Sequence, residues 1–250
     1  MFTAAADAYD RFMGRYSGPL APVFCDFAGV EAGQRVLDVG CGPGALVAEL
    51  VRRVGTEAVA GVDPAEQFVA AARQRHPRVD VRQASAEQLP FGKDEFDTSL
   101  AQLVVHFMAD PVAGLSEMAR VTRRGGAVAA CVWDHAGGEG PLSPYWDAVH
   151  ALDPQAPDES SLAGARRGHL TELFGEAGIG AIEETSLSVT VAHGSFDEWW
   201  EPFTFGVGPA GAYLAGLDPE RQADVRERAR EMVGSTPVIT ARAWTARGLA

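Results

Sequence analysis

The clearest chemical signal in this 250-residue chain is a set of three glycines and two acids. Gly40, Gly42 and Gly44 alternate directly after the apolar run Val36-Leu-Asp-Val39, which carries Asp38 inside it. A glycine turn that joins a strand to a helix lets the backbone approach a ligand closely. The helix N-terminus then presents unpaired N–H groups and a partial positive charge. The spacing alone is ambiguous, because a dinucleotide site shows Gly-x-Gly-x-x-Gly and here Ala45 takes the third glycine's place. Asp63 closes the next strand and can accept from both hydroxyls of a ribose in either kind of site; beside Pro64 it also reads as a helix N-terminal acid. Asp38 discriminates. A carboxylate held in the first strand suits a ligand with an ammonium group, which a dinucleotide lacks at that point.

These residues need a scaffold, and the flanking pattern predicts one. From residue 35 onward short β-branched runs alternate with helical periodicity, which implies βαβ units and a parallel sheet. Strands are expected at 35–39, 58–62, 79–83, 96–104, 127–133, 182–192 and 238–246. Helices are expected at 45–54, 65–75, 111–122, around 145–151, and at 168–177. Gly125-Gly126 reads as the turn into the fifth strand, and Pro111 as a first helical residue. About forty residues with helical patterns and several aromatics separate the last two strands. That suits a hairpin with a lid spliced into it, since long excursions are commonly functional and aromatic content argues against disorder.

Composition narrows the classes. A net charge of −13 argues against a nucleic-acid partner, which needs a basic stripe. No run of eighteen apolar residues predicts a membrane span, and the N-terminal residues do not read as a signal peptide. Cys25, Cys41 and Cys131 are too widely separated for a disulfide framework or a structural zinc, and fit a reducing, cytoplasmic setting. No metal is expected.

The string Val36-Leu-Asp-Val-Gly-Cys-Gly-Pro-Gly44 resembles the first motif of class I S-adenosylmethionine-dependent methyltransferases. Gly61-Val-Asp-Pro64 resembles the family's ribose-binding acidic motif. Ser85-Ala-Glu-Gln-Leu-Pro-Phe91 is similar to the Asp-Ala-x-x-Leu-Pro-Phe segment of the UbiE-like (methyltransferase type 11) branch, and Val121-Thr-Arg-Arg-Gly-Gly126 to the turn before the fifth strand. The resemblance covers about residues 35–135. It implies a Rossmann-like α/β fold of seven mostly parallel strands with an antiparallel last strand, helices on both faces, and S-adenosyl-L-methionine as cofactor. One methyltransferase domain over 1–250 is expected, with an N-terminal helical cap (1–30), a cofactor-binding core (35–135), an insertion (136–167) and a helical substrate lid (195–235).

The cofactor-binding candidates on this reading are Asp38, Gly40, Cys41, Gly42, Gly44, Asp63, Pro64, Ser85, Ala86, Glu87, Gln102 and Leu103. Tyr9 and Tyr16 join them from a segment expected to close over the cofactor. Ser85 stands where the family often has an acid on the adenine, so Ala86 N–H is expected to carry more of that contact. Methyl transfer needs alignment first, and a base only for a weakly acidic nucleophile. His106 is the base candidate, ahead of His135, His150 and His193. Trp133, Tyr145, Trp146, Trp199, Trp200 and Phe203 are the candidates for lining an acceptor cavity; aromatic lids also pack this way without any ligand. The expected acceptor is a small, apolar or aromatic metabolite. An NAD-dependent oxidoreductase and a cofactor-binding protein without turnover are the alternatives.

Overall fold

The computed structural model describes residues 10–250. Seven strands form one sheet in the order β3-β2-β1-β4-β5-β7-β6. They are β1 (Val36–Val39), β2 (Val59–Asp63), β3 (Asp80–Gln83), β4 (Phe96–Gln102), β5 (Thr122–Trp133), β6 (Gly180–Ala192) and β7 (Val238–Leu249). β1 to β5 pair in parallel, while β7 runs antiparallel to both β5 and β6. The order reverses between β1 and β4, and a crevice opens beyond their carboxyl ends, where open α/β sheets take ligands.

The helices are α1 (Arg15–Ala28), α2 (Ala45–Val54), α3 (Glu66–Arg75), α4 (Pro111–Val121), α5 (Ser143–Leu152), α6 (His169–Glu176), α7 (Phe196–Trp200), α8 (Gly208–Gly216) and α9 (Pro219–Val233). They divide the core in two. Leu20, Phe24, Leu46 and Leu50 of α1 and α2 pack with Val36, Leu100, Cys131 and Trp133 on one face. Leu115, Met118 and Phe174 of α4 and α6 pack with Leu37, Val39, Val128 and Val132 on the other. Because side chains alternate along a strand, Asp38, Gln102 and Trp133 share the parity of Val36, Leu100 and Cys131. All three therefore face the α1 side.

Element boundaries depart from the sequence pattern at two informative places. The fourth strand stops at Gln102 rather than 104, because Leu103, whose N–H makes the last ladder bond to Cys131 O, adopts a positive φ of 61°. A short 3₁₀ turn, Val105–Phe107, follows. The fifth strand begins at Thr122, before the two glycines rather than after them. Phe96 pairs with Thr122 and Thr98 with Ala127, so two steps on β4 face five on β5. This is a wide bulge in which Gly125 has φ 74°. A Cβ on Gly126 would stand 2.5 Å from Asp97 O, so the second glycine permits the close approach of the two strands.

The excursion between β6 and β7 holds α7, a 3₁₀ segment, α8 and α9. Its two ends are tied together: His193 N–H donates to Pro237 O at 2.8 Å and Phe196 N–H to Ser235 O at 2.7 Å. No helix of the described residues is long and apolar enough to cross a membrane.

Candidate active site

The glycine turn lies at the carboxyl end of β1, and each part of it has a physical role. Gly40 has φ 73°, and a Cβ there would stand 2.2 Å from Val104 Cγ2. Only glycine fits both restraints. Gly40 N–H and Cys41 N–H both donate to Val62 O, and Gly42 N–H donates to Asp63 Oδ2 at 2.9 Å. Asp63 Oδ1 accepts from Ala65 N–H at 2.9 Å, so one carboxylate ties the glycine turn to the start of α3. Gly44 ends the turn as the residue before α2.

Beside this turn lies a cleft lined by Ser17, Asp38, Gly40, Gly42, Gln102 and Leu103, among others. Three polar oxygens in it are buried with no hydrogen-bond partner among the described residues: Asp38 Oδ2, Gln102 Oε1 and Ser17 Oγ. Gln102 Nε2 donates to Ser17 O at 3.1 Å, which fixes the amide with its oxygen free. Asp38 is 1% exposed, and burial, reinforced by the charge of Asp63, pushes its carboxyl up to about 8. Unsatisfied buried acceptors are costly. An ammonium group brings three N–H donors and a positive charge, and would answer all three at once.

Across Leu103 a second cleft opens. Leu103 lines both, and the second is further bounded by Phe12, His106, Trp133, His135 and Leu142. The His106 ring lies against Phe107 at 4.0 Å and faces His135 at 6.0 Å. Burial, and then the neighbouring His135, lower His106 to about 3, so it is neutral at ordinary pH; its Nδ1 has no partner among the described residues. Burial likewise lowers His135 to about 4. His135 is held by a tight turn in which Asp134 accepts from Gly137 N–H and from the Arg242 guanidinium. The Trp133 indole N–H is buried and unpartnered.

The chain's family follows from comparison with known proteins. Residues 37–130 match the model of the methyltransferase domain family. Over 162 residues the chain is 38% identical to a phosphatidylethanolamine N-methyltransferase of Cereibacter sphaeroides, covering 62% of this chain and 75% of that one. The chain belongs to the class I S-adenosylmethionine-dependent methyltransferases. It falls in their UbiE-like branch, being 40% identical over 106 residues to the ubiquinone/menaquinone biosynthesis C-methyltransferase UbiE of Bdellovibrio bacteriovorus. That match covers 41% of this chain and 45% of UbiE; against an uncharacterized Mycobacterium tuberculosis relative, 32% identical and covering 63% of this chain, the chain spans 58% of the relative's length. The fold is shared with the Haemonchus contortus enzyme solved with phosphomonomethylethanolamine and S-adenosylhomocysteine, at TM-score 0.60 and 17% identity, covering 99% of this chain and 57% of that one. S-adenosylmethionine is the cofactor of this methyltransferase family, and the oxidoreductase reading is set aside.

One expected site residue of the methyltransferase, Tyr16, stands elsewhere than sequence placed it. Tyr16 turns away from the glycine cleft; its hydroxyl meets His193 Nε2 at 3.1 Å and its ring packs edge-on to Trp133. The next residue, about 100° round the helix, points to the cleft instead. That is Ser17, which sequence reasoning missed because a lone serine on a helix carries no signal. Tyr9 lies outside the described residues. Glu87 accepts from Ala109 N–H and Asp110 N–H, pinning the 85–87 turn to the start of α4. Ser85 is exposed beside it and Ala86 is buried. Pro64 O accepts from Gln83 Nε2.

The six aromatic candidates separate. Trp133 lines the cleft beyond Leu103. Tyr145 stacks on Phe203 at 4.6 Å and donates its hydroxyl to Ala210 O, which fastens α5 to α8. Trp199, Trp200 and Phe203 pack on one another at 5.2 to 6.3 Å. Their aromatic area packs the excursion onto the domain, and Trp199 and Phe203 also border a small cavity next to the cleft, with Phe12 and Leu142 common to both. Trp146 lines a neighbouring opening and donates to Glu159. His150 lines the same opening, and His193 is bound between Tyr16 and Arg15.

Proposed function

We propose that this methyltransferase passes the methyl group of S-adenosylmethionine to a small, largely apolar acceptor seated between Leu103, His106 and Trp133. The observation that carries this reading is the sharing of Leu103 by two clefts of opposite character. One offers Asp38, Ser17 and Gln102 as acceptors for the cofactor's ammonium; the other is apolar with few polar groups, the usual form of a small-molecule site. Asp63 would hold the ribose while it braces the glycine turn, and Cys41, Gly42 and Gly44 would border the methionine portion. The excursion over residues 195–235 acts as a lid by completing the apolar cleft at Val207 and Pro209. The cofactor supplies an activated methyl group on a sulfonium.

The protein's own residues then have three tasks. Leu103, held in a left-handed conformation, sets the separation between the two clefts; strained backbone of this kind is common at functional sites. The apolar lining excludes water from the nucleophile. Neutral His106, with a free Nδ1, accepts the proton from an acceptor hydroxyl or carbon acid as the bond to the methyl carbon forms. Among the described residues no arginine or lysine lines the cleft, which disfavours phosphate-bearing acceptors such as that of the Haemonchus enzyme. The free thiols of Cys25, Cys41 and Cys131 support a reducing, cytoplasmic setting.

The test is transfer of labelled methyl to a panel of phenols and naphthols, scored by S-adenosylhomocysteine formed. His106→Ala should lower kcat by about 10²–10⁴ while leaving S-adenosylhomocysteine affinity within twofold, about 0.4 kcal/mol. Full activity in that variant would remove His106 from the reaction. Cofactor binding with no transfer to any acceptor would favour a binding protein.

A further inference from the structure

The apolar cleft does not end at His135. That residue and Glu159 line both the cleft and a second opening, which continues outward past Trp146, His150 and Asp158. The two form one trough whose inner end meets Leu103. Its charge is one-sided. Asp147, Asp158 and Glu159 line the outer part, and among the described residues no arginine or lysine lines either part. Asp158 Oδ1 accepts from Ser160 N–H and Oγ–H, while the nearest group that could pair with its charge is His150, at 3.8 Å from Oδ2.

Glu159 is the unusual member. It is 5% exposed and forms no ion pair among the described residues; one oxygen accepts from the Trp146 indole N–H. Burial raises its carboxyl above the usual range. A buried carboxylate without a cation is costly, and a ligand cation arriving there would relieve that cost. Trp146 presents an aromatic ring at the same place, which favours a cation further. A separate observation marks the inner end as a ligand site: the Trp133 indole N–H, in a side chain 2% exposed, has no acceptor among the described residues. A ligand oxygen would satisfy it.

We propose that the trough selects an acceptor bearing a protonated amine, its ammonium against Glu159 and Asp158 and its oxygen nucleophile at the Trp133–His106 end. This rests on the reading of the inner cleft as the acceptor site. The ammonium has no lone pair and is not methylated; it orients the molecule so that the far end meets the methyl group.

The test compares tyramine with its neutral isostere 4-propylphenol, titrated calorimetrically into the full chain saturated with S-adenosylhomocysteine. Tyramine should bind at least about tenfold tighter, equal to about 1.4 kcal/mol. The advantage should shrink as salt rises from about 0.05 to about 0.3 M. Glu159→Gln, which keeps an acceptor for Trp146, should reduce the preference to about twofold without changing S-adenosylhomocysteine affinity. Asp158→Asn, at the more exposed carboxylate, should reduce it in part and guards against a folding defect in the first variant. Equal or tighter binding of 4-propylphenol overturns the proposal, as does binding of neither compound or a preference that survives both substitutions. Methylation of 4-propylphenol without tyramine preference would overturn the amine selection and leave the acceptor-cleft reading standing. Leu142→Trp narrows the inner cleft; tyramine binding indifferent to it would separate the acidic opening from the acceptor site and overturn the proposal.

Discussion

The sharpest prediction concerns Asp38, whose substitution should stabilise the free protein and cripple cofactor binding. Burial raises its carboxyl from 3.8 to about 8. At pH 7 the free folded protein therefore holds Asp38 protonated, while the unfolded chain ionises it. A folded pKa above the unfolded one gives stability that is fully present below about 3.8 and is lost as pH rises to about 8. Between 3.8 and pH 7 the loss spans about three units, about 4 kcal/mol at 1.36 kcal/mol per unit. Asp38→Asn is neutral at every pH and removes that loss, but buries an amide without partners at a cost of about 1–3 kcal/mol. The net expectation is a gain of about 1–3 kcal/mol at pH 7, with Tm rising about 2–4 °C for each. Cofactor affinity moves the other way. Losing a charge-assisted bond to the ammonium should weaken S-adenosylhomocysteine by about 1.5–3 kcal/mol, roughly 10- to 150-fold. In the wild type, binding requires the ionised carboxylate, so affinity should climb from pH 6 to about 8 with release of close to one proton. Melting curves at three pH values and calorimetry in buffers of different ionisation enthalpy test both parts. A variant that melts lower and binds like wild type, or a wild-type affinity flat across that range, refutes the assignment.

Other substitutions probe the same geometry. Gly40→Ala forces a Cβ to within 2.2 Å of Val104 Cγ2 at φ 73°; S-adenosylhomocysteine affinity measured by calorimetry should fall at least about tenfold, and Val104→Ala in the same chain should recover only part. Asp63→Ala releases both Gly42 N–H and Ala65 N–H, and should weaken S-adenosylhomocysteine by about 2–4 kcal/mol through the lost charge-assisted bonds; affinity near wild type would sink the ribose assignment. Arg242→Ala leaves the Asp134 carboxylate, 1% exposed, without its cation. Urea denaturation should show a loss of about 3–5 kcal/mol, with Asp134→Asn in the same chain restoring part of it.

Much of the framework was legible in the residues themselves because it rests on local spacing. Glycines at 40, 42 and 44 after a β-branched run specify a strand–turn–helix unit, and period-two alternation commits Asp38 to a face of the sheet. The parallel core and the antiparallel last strand followed from such patterns together with the family resemblance. The bulge at Phe96–Thr98 was not legible, since it depends on how two strands pair across the sheet. The end of β4 at Gln102 escaped as well: Leu103 makes the last ladder bond, to Cys131 O, and then turns the chain away at a positive φ that nothing in a leucine announces.

What surrounds the cofactor cleft and what surrounds the acceptor cleft differ in this respect. Asp38 and the glycine turn are close neighbours in sequence, so a string of nine residues announces the ammonium-binding chemistry. Ser17 reaches the same cleft from a helix whose carbonyl lies 85 positions away from its partner Gln102, and only packing brings them together. The aromatic residues make the contrast plainest. Sequence marks Trp133, Tyr145, Trp199 and Phe203 alike as large and apolar, yet Trp133 stands at the cleft beyond Leu103, Trp199 and Phe203 border a small neighbouring cavity, and Tyr145 is packed against Phe203. Glu159 drew no notice as one acid among 34 Asp and Glu; burial against Trp146, with no ion pair among the described residues, is what sets it apart. Spacing along the chain determines which backbone turns and strand faces exist, and long-range packing alone decides which side chains are left without partners.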